Sequence, residues 1–150
     1  MKALGRYGYS IFCDDIRNEV GGKLSFIGCY NSVMFVPAMF PFTLPKFCVH
    51  LHVVTPAHRP FELIVARCYV PGQREPIVAQ RIEAPNREEQ GRLVEELGHV
   101  PSTPRFIVAA ASLIFAPLNI QEPGLISVRA LVDDDEQELK IGSLRVAIAD

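Results

Sequence analysis

In FCVHLHVVT, residues 47–55, apolar side chains recur at every second position. Phe47, Val49, Leu51 and Val53 share one face and Cys48, His50 and His52 the other, which is the period of a β-strand. Residues 6–13 and 24–30, rich in aromatic and branched side chains, predict two further strands around a polar, glycine-containing segment. A short run at 33–36 leads into PAMFPFTLP, where three prolines predict a stiff apolar loop without a regular ladder. Residues 61–70 and 77–82 flank Pro71-Gly72-Gln73 and predict a hairpin.

Only NREEQGRLVEELG, at 86–98, has a helical pattern: Asn86 suits a cap, Glu88 and Glu89 a first turn, and Leu93, Val94 and Leu97 one apolar side. The apolar run between Pro104 and Pro117 predicts a strand covered on both faces. LISVRALV and LKIGSLRVAIA, separated by DDDE, predict a terminal hairpin. Its apolar parity changes from Leu139 and Ile141 to Leu144, Val146 and Ile148, as a bulge near Gly142 would produce. Together these signals predict a single all-β domain over residues 1–150, an antiparallel sandwich of immunoglobulin-like or jelly-roll-like type with seven to nine strands and at most one short helix near 87–98.

Fifteen basic residues against seventeen acidic leave a net charge of −2 and no basic run, which disfavours nucleic acid as a partner. The first twelve residues lack the apolar core and small-residue cleavage site of a signal peptide, so a cytoplasmic location is expected. The uncharged stretch Leu24-to-Pro45 in the sequence is broken by Gly28, Asn31, Pro37 and Pro41, so it predicts no membrane span. Cys13, Cys29, Cys48 and Cys68 contain no C-x-x-C pair and are expected to be free, buried thiols.

CDDIRNEVGGKLSFIGCY, followed by FPFTLPKFC and EPGLISVRALVDDDEQELKIGSLRV, resembles an uncharacterised family of small bacterial and phage-associated proteins. The resemblance covers most of the chain. It implies a β-sandwich with no assigned activity, and allows a virion location if the protein is phage-encoded.

The residues themselves offer three kinds of site. Asp14, Asp15, Arg17, Glu19, Gly21, Gly22 and Lys23 read as a turn held by local charge pairs, with the glycines supplying positive φ. Asp14 and Asp15 with Asp133, Asp134 and Asp135 are also the acidic loops from which a calcium site would be built, though neither has alternating Asp-x-Asp spacing. Cys48, His50 and His52 share a strand face and could converge on zinc, with His58, His99 or water as fourth ligand. Met39, Phe40, Phe42 and Leu44, stiffened by proline, offer apolar area for a protein contact.

No nucleophile motif or phosphate loop is present, since Gly21-Gly22-Lys23 lacks the flanking residues of a P-loop. The leading expectation is therefore a non-enzymatic protein without a cofactor, acting by self-association or as an accessory subunit of a bacterial or phage assembly. A metal-binding sandwich is the alternative, and an enzyme with no visible catalytic set the third reading.

Overall fold

The computed structural model describes residues 5–83, 105–133 and 137–149, together with residues 88, 89, 92, 95 and 135. The chain is almost all β. Among the described residues eleven strands lie in three open sheets, where seven to nine strands in one sandwich were expected. The sequence reading merged or missed the short ones. The helix expected near 87–98 falls mostly outside the described residues; Glu88, Glu89, Arg92 and Glu95 have helical backbone.

In the first sheet the order is β2 (Leu24–Cys29), β1 (Tyr7–Asn18), β5 (Phe47–Pro56) and β8 (Phe106–Phe115), all antiparallel. The second sheet runs β3 (Val33–Val36), β11 (Leu139–Ile148), β10 (Gly124–Val132), β6 (Leu63–Tyr69) and β7 (Val78–Glu83). Its β3 lies parallel to β11, and both expected hairpins are present as β6–β7 and β10–β11. A third, small sheet pairs β4 (Phe42–Leu44) with β9 (Leu118–Ile120). This corrects the reading of PAMFPFTLP as a loop without a ladder. Proline forbids donation only at its own nitrogen, and Phe42-Thr43-Leu44 lies between prolines with its amides intact.

One buried cluster draws on all three sheets: Phe12, Phe47, Val49, Leu51 and Leu113 from the first, Ile64, Val128, Ile141 and Leu144 from the second, and Leu118 and Ile120 from the third. Strand β1 presents Gly8 and Ser10 to this interior, so its backbone comes unusually close to β11. A Cβ at Gly8 would stand 2.5 Å from both Ile141 Cγ2 and the His52 carbonyl oxygen, and one at Gly142 would stand 2.7 Å from Ser10 Cβ. The register of β10 and β11 shifts between Val128 and Arg129, which passes over Ile141 and places the expected bulge beside Gly142. A bulge frees a backbone group. Ser10 answers it by donating its hydroxyl to the Ile141 carbonyl at 2.9 Å, a bond from one large sheet to the other.

Among the described residues no helix is long and apolar enough to cross a membrane.

Candidate functional site

Because β1 turns its small residues inward, its large ones point out. Tyr7, Tyr9, Ile11 and Cys13 lie directly opposite Val54, His52, His50 and Cys48 on β5, and these in turn oppose Val108, Ala110, Ser112 and Ile114 on β8. Three neighbouring strands thus contribute one outer face; these twelve residues include no Asp, Glu, Lys or Arg, and the Asp15–Lys46 ion pair marks the end beyond Cys13 and Cys48. Its floor is β5, where Cys48, His50 and Val54 are buried; its walls are exposed, with Tyr7 at 53 %, Val108 at 54 % and Ile114 at 57 %. The run over 105–116 is therefore covered on one face only, which corrects the expectation of burial on both.

Rings fill the centre of this face. Tyr9 stacks on His52 with centroids 4.7 Å apart, His52 meets His50 edge-on at 4.6 Å, and Phe26 from β2 lies 5.2 Å from His50. Burial holds both imidazoles below their ordinary pKa of 6.5, and in His50 the neighbouring His52 adds to the effect. They are neutral at pH 7. His52 Nδ1 is a buried atom without a hydrogen-bond partner among the described residues.

His50 Nδ1 lies 2.9 Å from Ser112 Oγ, the distance of a base from a nucleophile. Catalysis asks more of the pair: a group that orients the imidazole and stabilises its charge. Here the ring is flanked by Phe26 and His52, and its basicity is lowered. Nor does the Cys48, His50 and His52 set close on zinc, because His50 is held by Ser112 and the Cys48 thiol donates to the Asp14 carbonyl at 3.7 Å. Among the described residues no three His, Cys, Asp or Glu side chains are grouped to hold a metal ion.

The acidic motif at the end of this face is not a turn. Asp14, Asp15 and Arg17 lie within β1, and the reversal occupies residues 19–23, closed by the Glu19 amide donating to the Lys23 carbonyl at 2.8 Å. Gly21 and Gly22 have the expected positive φ there. Alternation failed to show the extension because Asp and Asn are poor strand formers by propensity alone.

Each carboxylate instead clasps a neighbouring segment. Asp14 Oδ1 accepts from the Tyr30 hydroxyl at 2.7 Å while its Oδ2 occupies the space a Cβ on Gly28 would need. Burial, reinforced by Asp14, raises the Tyr30 pKa. Asp15 accepts from Lys46 Nζ at 2.6 Å and from the Ile16 amide at 2.9 Å. The Lys46 hydrogen bond is the main reason its pKa is lowered.

The second acidic segment is likewise committed. Asp133 Oδ1 accepts the Glu62 and Leu63 amides at 2.8 and 3.0 Å, and Arg6 reaches Asp135 at 3.0 Å and Asp133 at 3.7 Å. Asp14 and Asp15 thus serve β2 and Lys46 while Asp133 and Asp135 serve Arg6 and the start of β6. Those partners take the oxygens a calcium site would use. Asp134 and His99 lie outside the described residues.

No protein family, curated protein or solved structure matches this chain.

Of the apolar segment expected as an interface, Phe40, Phe42 and Leu44 are half-buried against the core, and Met39 alone stands out at 77 % exposure. Cys13, Cys48 and Cys68 are free and buried as expected, whereas Cys29 is exposed. The outer face itself escaped the sequence reading. Its signal was the alternation Tyr7-Gly8-Tyr9-Ser10, in which the small residues, not the large, face the core.

Proposed function

We propose that this chain is a non-enzymatic β-sandwich that acts through protein contacts, and that its contact surface is the outer face of β1, β5 and β8 closed against the same face of a second copy. The observation that carries this reading is the set Tyr7, Tyr9, Val108 and Ile114, exposed on the two strands that flank the uncharged β5 floor. Exposed contiguous apolar surface of this kind marks contact sites in soluble proteins.

A second copy is favoured as occupant by the charge pattern. In a two-fold pairing the same patch meets itself and a charge on the axis faces its own sign; the twelve paired residues carry no formal charge, so none of them opposes such a pairing. Its size lies at the lower end for a dimer. Strands of about ten residues, spaced about 4.8 Å apart across β1, β5 and β8, give a flat footprint of about 500 Å² per copy before side-chain relief, against about 800 Å² per partner in a standard stable complex. The resemblance of the N-terminal motif to a bacterial and phage-associated family is the ground for reading such a dimer as an accessory or structural subunit.

Hydroxyl-radical footprinting at low and high protein concentration tests the surface. Tyr7, Tyr9, Val108 and Ile114 lose reactivity on concentration, while Phe35 and Leu125, exposed on the second sheet, keep theirs. Protection confined to Phe35 and Leu125, or none anywhere, overturns the assignment.

A further inference from the structure

Three of the four cysteines stand in one row across the first sheet. Cys29 on β2 lies directly opposite Cys13 on β1, which lies directly opposite Cys48 on β5. The backbone distinguishes the two pairs. The Tyr30 amide donates to the Phe12 carbonyl at 2.9 Å, which makes Phe12 and Tyr30 a hydrogen-bonded pair of the β1–β2 ladder. Pair types alternate, so Cys13 and Cys29 form a non-hydrogen-bonded pair, the kind in which Cα atoms stand about 4.5 Å apart and side chains are closest. That spacing falls within the range a disulfide spans without moving the backbone.

We propose that Cys13 and Cys29 form a peroxide-sensitive dithiol that closes into a cross-strand disulfide. Exposure assigns the roles. Cys29 is open to solvent, whereas Cys13 and Cys48 are fully buried and Cys48 is engaged with the Asp14 carbonyl. The Cys29 thiolate attacks a peroxide oxygen, breaking the O–O bond, taking one oxygen as sulfenic acid and releasing water or an alcohol. Cys13 sulfur then attacks the Cys29 sulfur, expels that oxygen as water and leaves the disulfide, so two thiols are oxidised and one peroxide is reduced. Burial, with smaller contributions from Cys48 and Cys29, pushes the Cys13 thiol up to about 11, which keeps it from reacting with the oxidant first. This inference does not depend on dimer formation.

The test uses the reduced full-length chain, treated with hydrogen peroxide in native buffer, then unfolded, alkylated and digested without reductant. The result expected is an intact mass lower by two hydrogen atoms and a cross-linked peptide joining Cys13 to Cys29, with Cys48 and Cys68 alkylated. In Cys13→Ser the same treatment leaves oxygen on Cys29 and gives no internal cross-link. A Cys13–Cys48 cross-link, a Cys29–Cys29 link between chains, oxygen accumulating on Cys29 of the parent protein, or four thiols still alkylated would each overturn it. Since the parent's peptide map decides alone, the outcome survives any failure of the variant to fold.

Discussion

Tyr9 and His52 stack across β1 and β5 with their planes 20° apart, and this contact ties the outer face to pH. His52 and His50 are held neutral by burial among Tyr9, Phe26 and Ser112, with Cys13 and Cys48 the nearest other ionisable groups on the face. Their folded pKa values lie below the unfolded value, so below pH 6.5 the unfolded chain binds protons that the folded chain refuses. Stability is then present in full above pH 6.5 and falls as the pH drops through the folded pKa values. Melting temperature measured from pH 7.5 to 5 should decrease, and the decrease should be smaller in His50→Gln and His52→Gln. An unchanged slope in both variants assigns the acid sensitivity elsewhere.

Arg6 has a side chain only 8 % exposed, and it joins the Thr55 hydroxyl, the Arg59 and Pro60 carbonyls, Asp133 and Asp135. Replacing it by methionine keeps much of the volume and strands those acceptors. Urea unfolding of Arg6→Met should show a loss of about 2–3 kcal/mol. A loss below about 0.5 kcal/mol would mean that solvent replaces the guanidinium at no cost.

Gly8 and Gly142 mark where β1 and β11 come together, and both would place a Cβ inside a neighbour's contact distance. Gly8 faces the His52 backbone oxygen, which cannot turn aside. Gly8→Ala should therefore cost about 2–3 kcal/mol, and more than Gly142→Ala, whose new methyl meets the Ser10 side chain. Gly5, with nothing among the described residues within 4 Å of its Cβ position, is the control and should be neutral. Chemical denaturation of the three variants gives the ranking directly.

Asp14 and Tyr30 clamp the end of β2 to β1 through a 2.7 Å bond. Tyr30→Phe retains the ring against Phe47 and removes only the hydroxyl, so a loss of about 1 kcal/mol is expected. Hydrogen exchange in β2 should rise with it, while exchange in β10 stays unchanged.

How much of this was legible follows from what alternation reports. Strands with one wet face, such as β10 and the second half of β11, announced themselves, and so did the bulge at Gly142, because a parity change has a single structural meaning. Strand β5 read as half-polar although nine of its ten positions are buried: histidine and cysteine are polar in composition but pack as rings and small apolar groups here. The acidic motif misled because Asp14 and Asp15 bind partners distant in sequence, Tyr30 and Lys46, which no local pattern discloses. The same applies to the Arg6 cluster, whose partners lie 49 to 129 residues away. The outer face was invisible for a further reason. A residue's exposure depends on which side of a sheet the core takes, and the small pair Gly8 and Ser10 inverted the usual rule.

The decisive measurement is the solution mass of the chain by light scattering across a concentration series, beside Tyr9→Lys and Ile114→Lys. Both side chains are about half exposed in the single chain, so neither substitution should disturb its fold, which circular dichroism checks. The account predicts a mass of twice 16.7 kDa for the parent protein and 16.7 kDa for both variants. A parent that stays at 16.7 kDa at every concentration, or a dimer that both lysines leave intact, contradicts it.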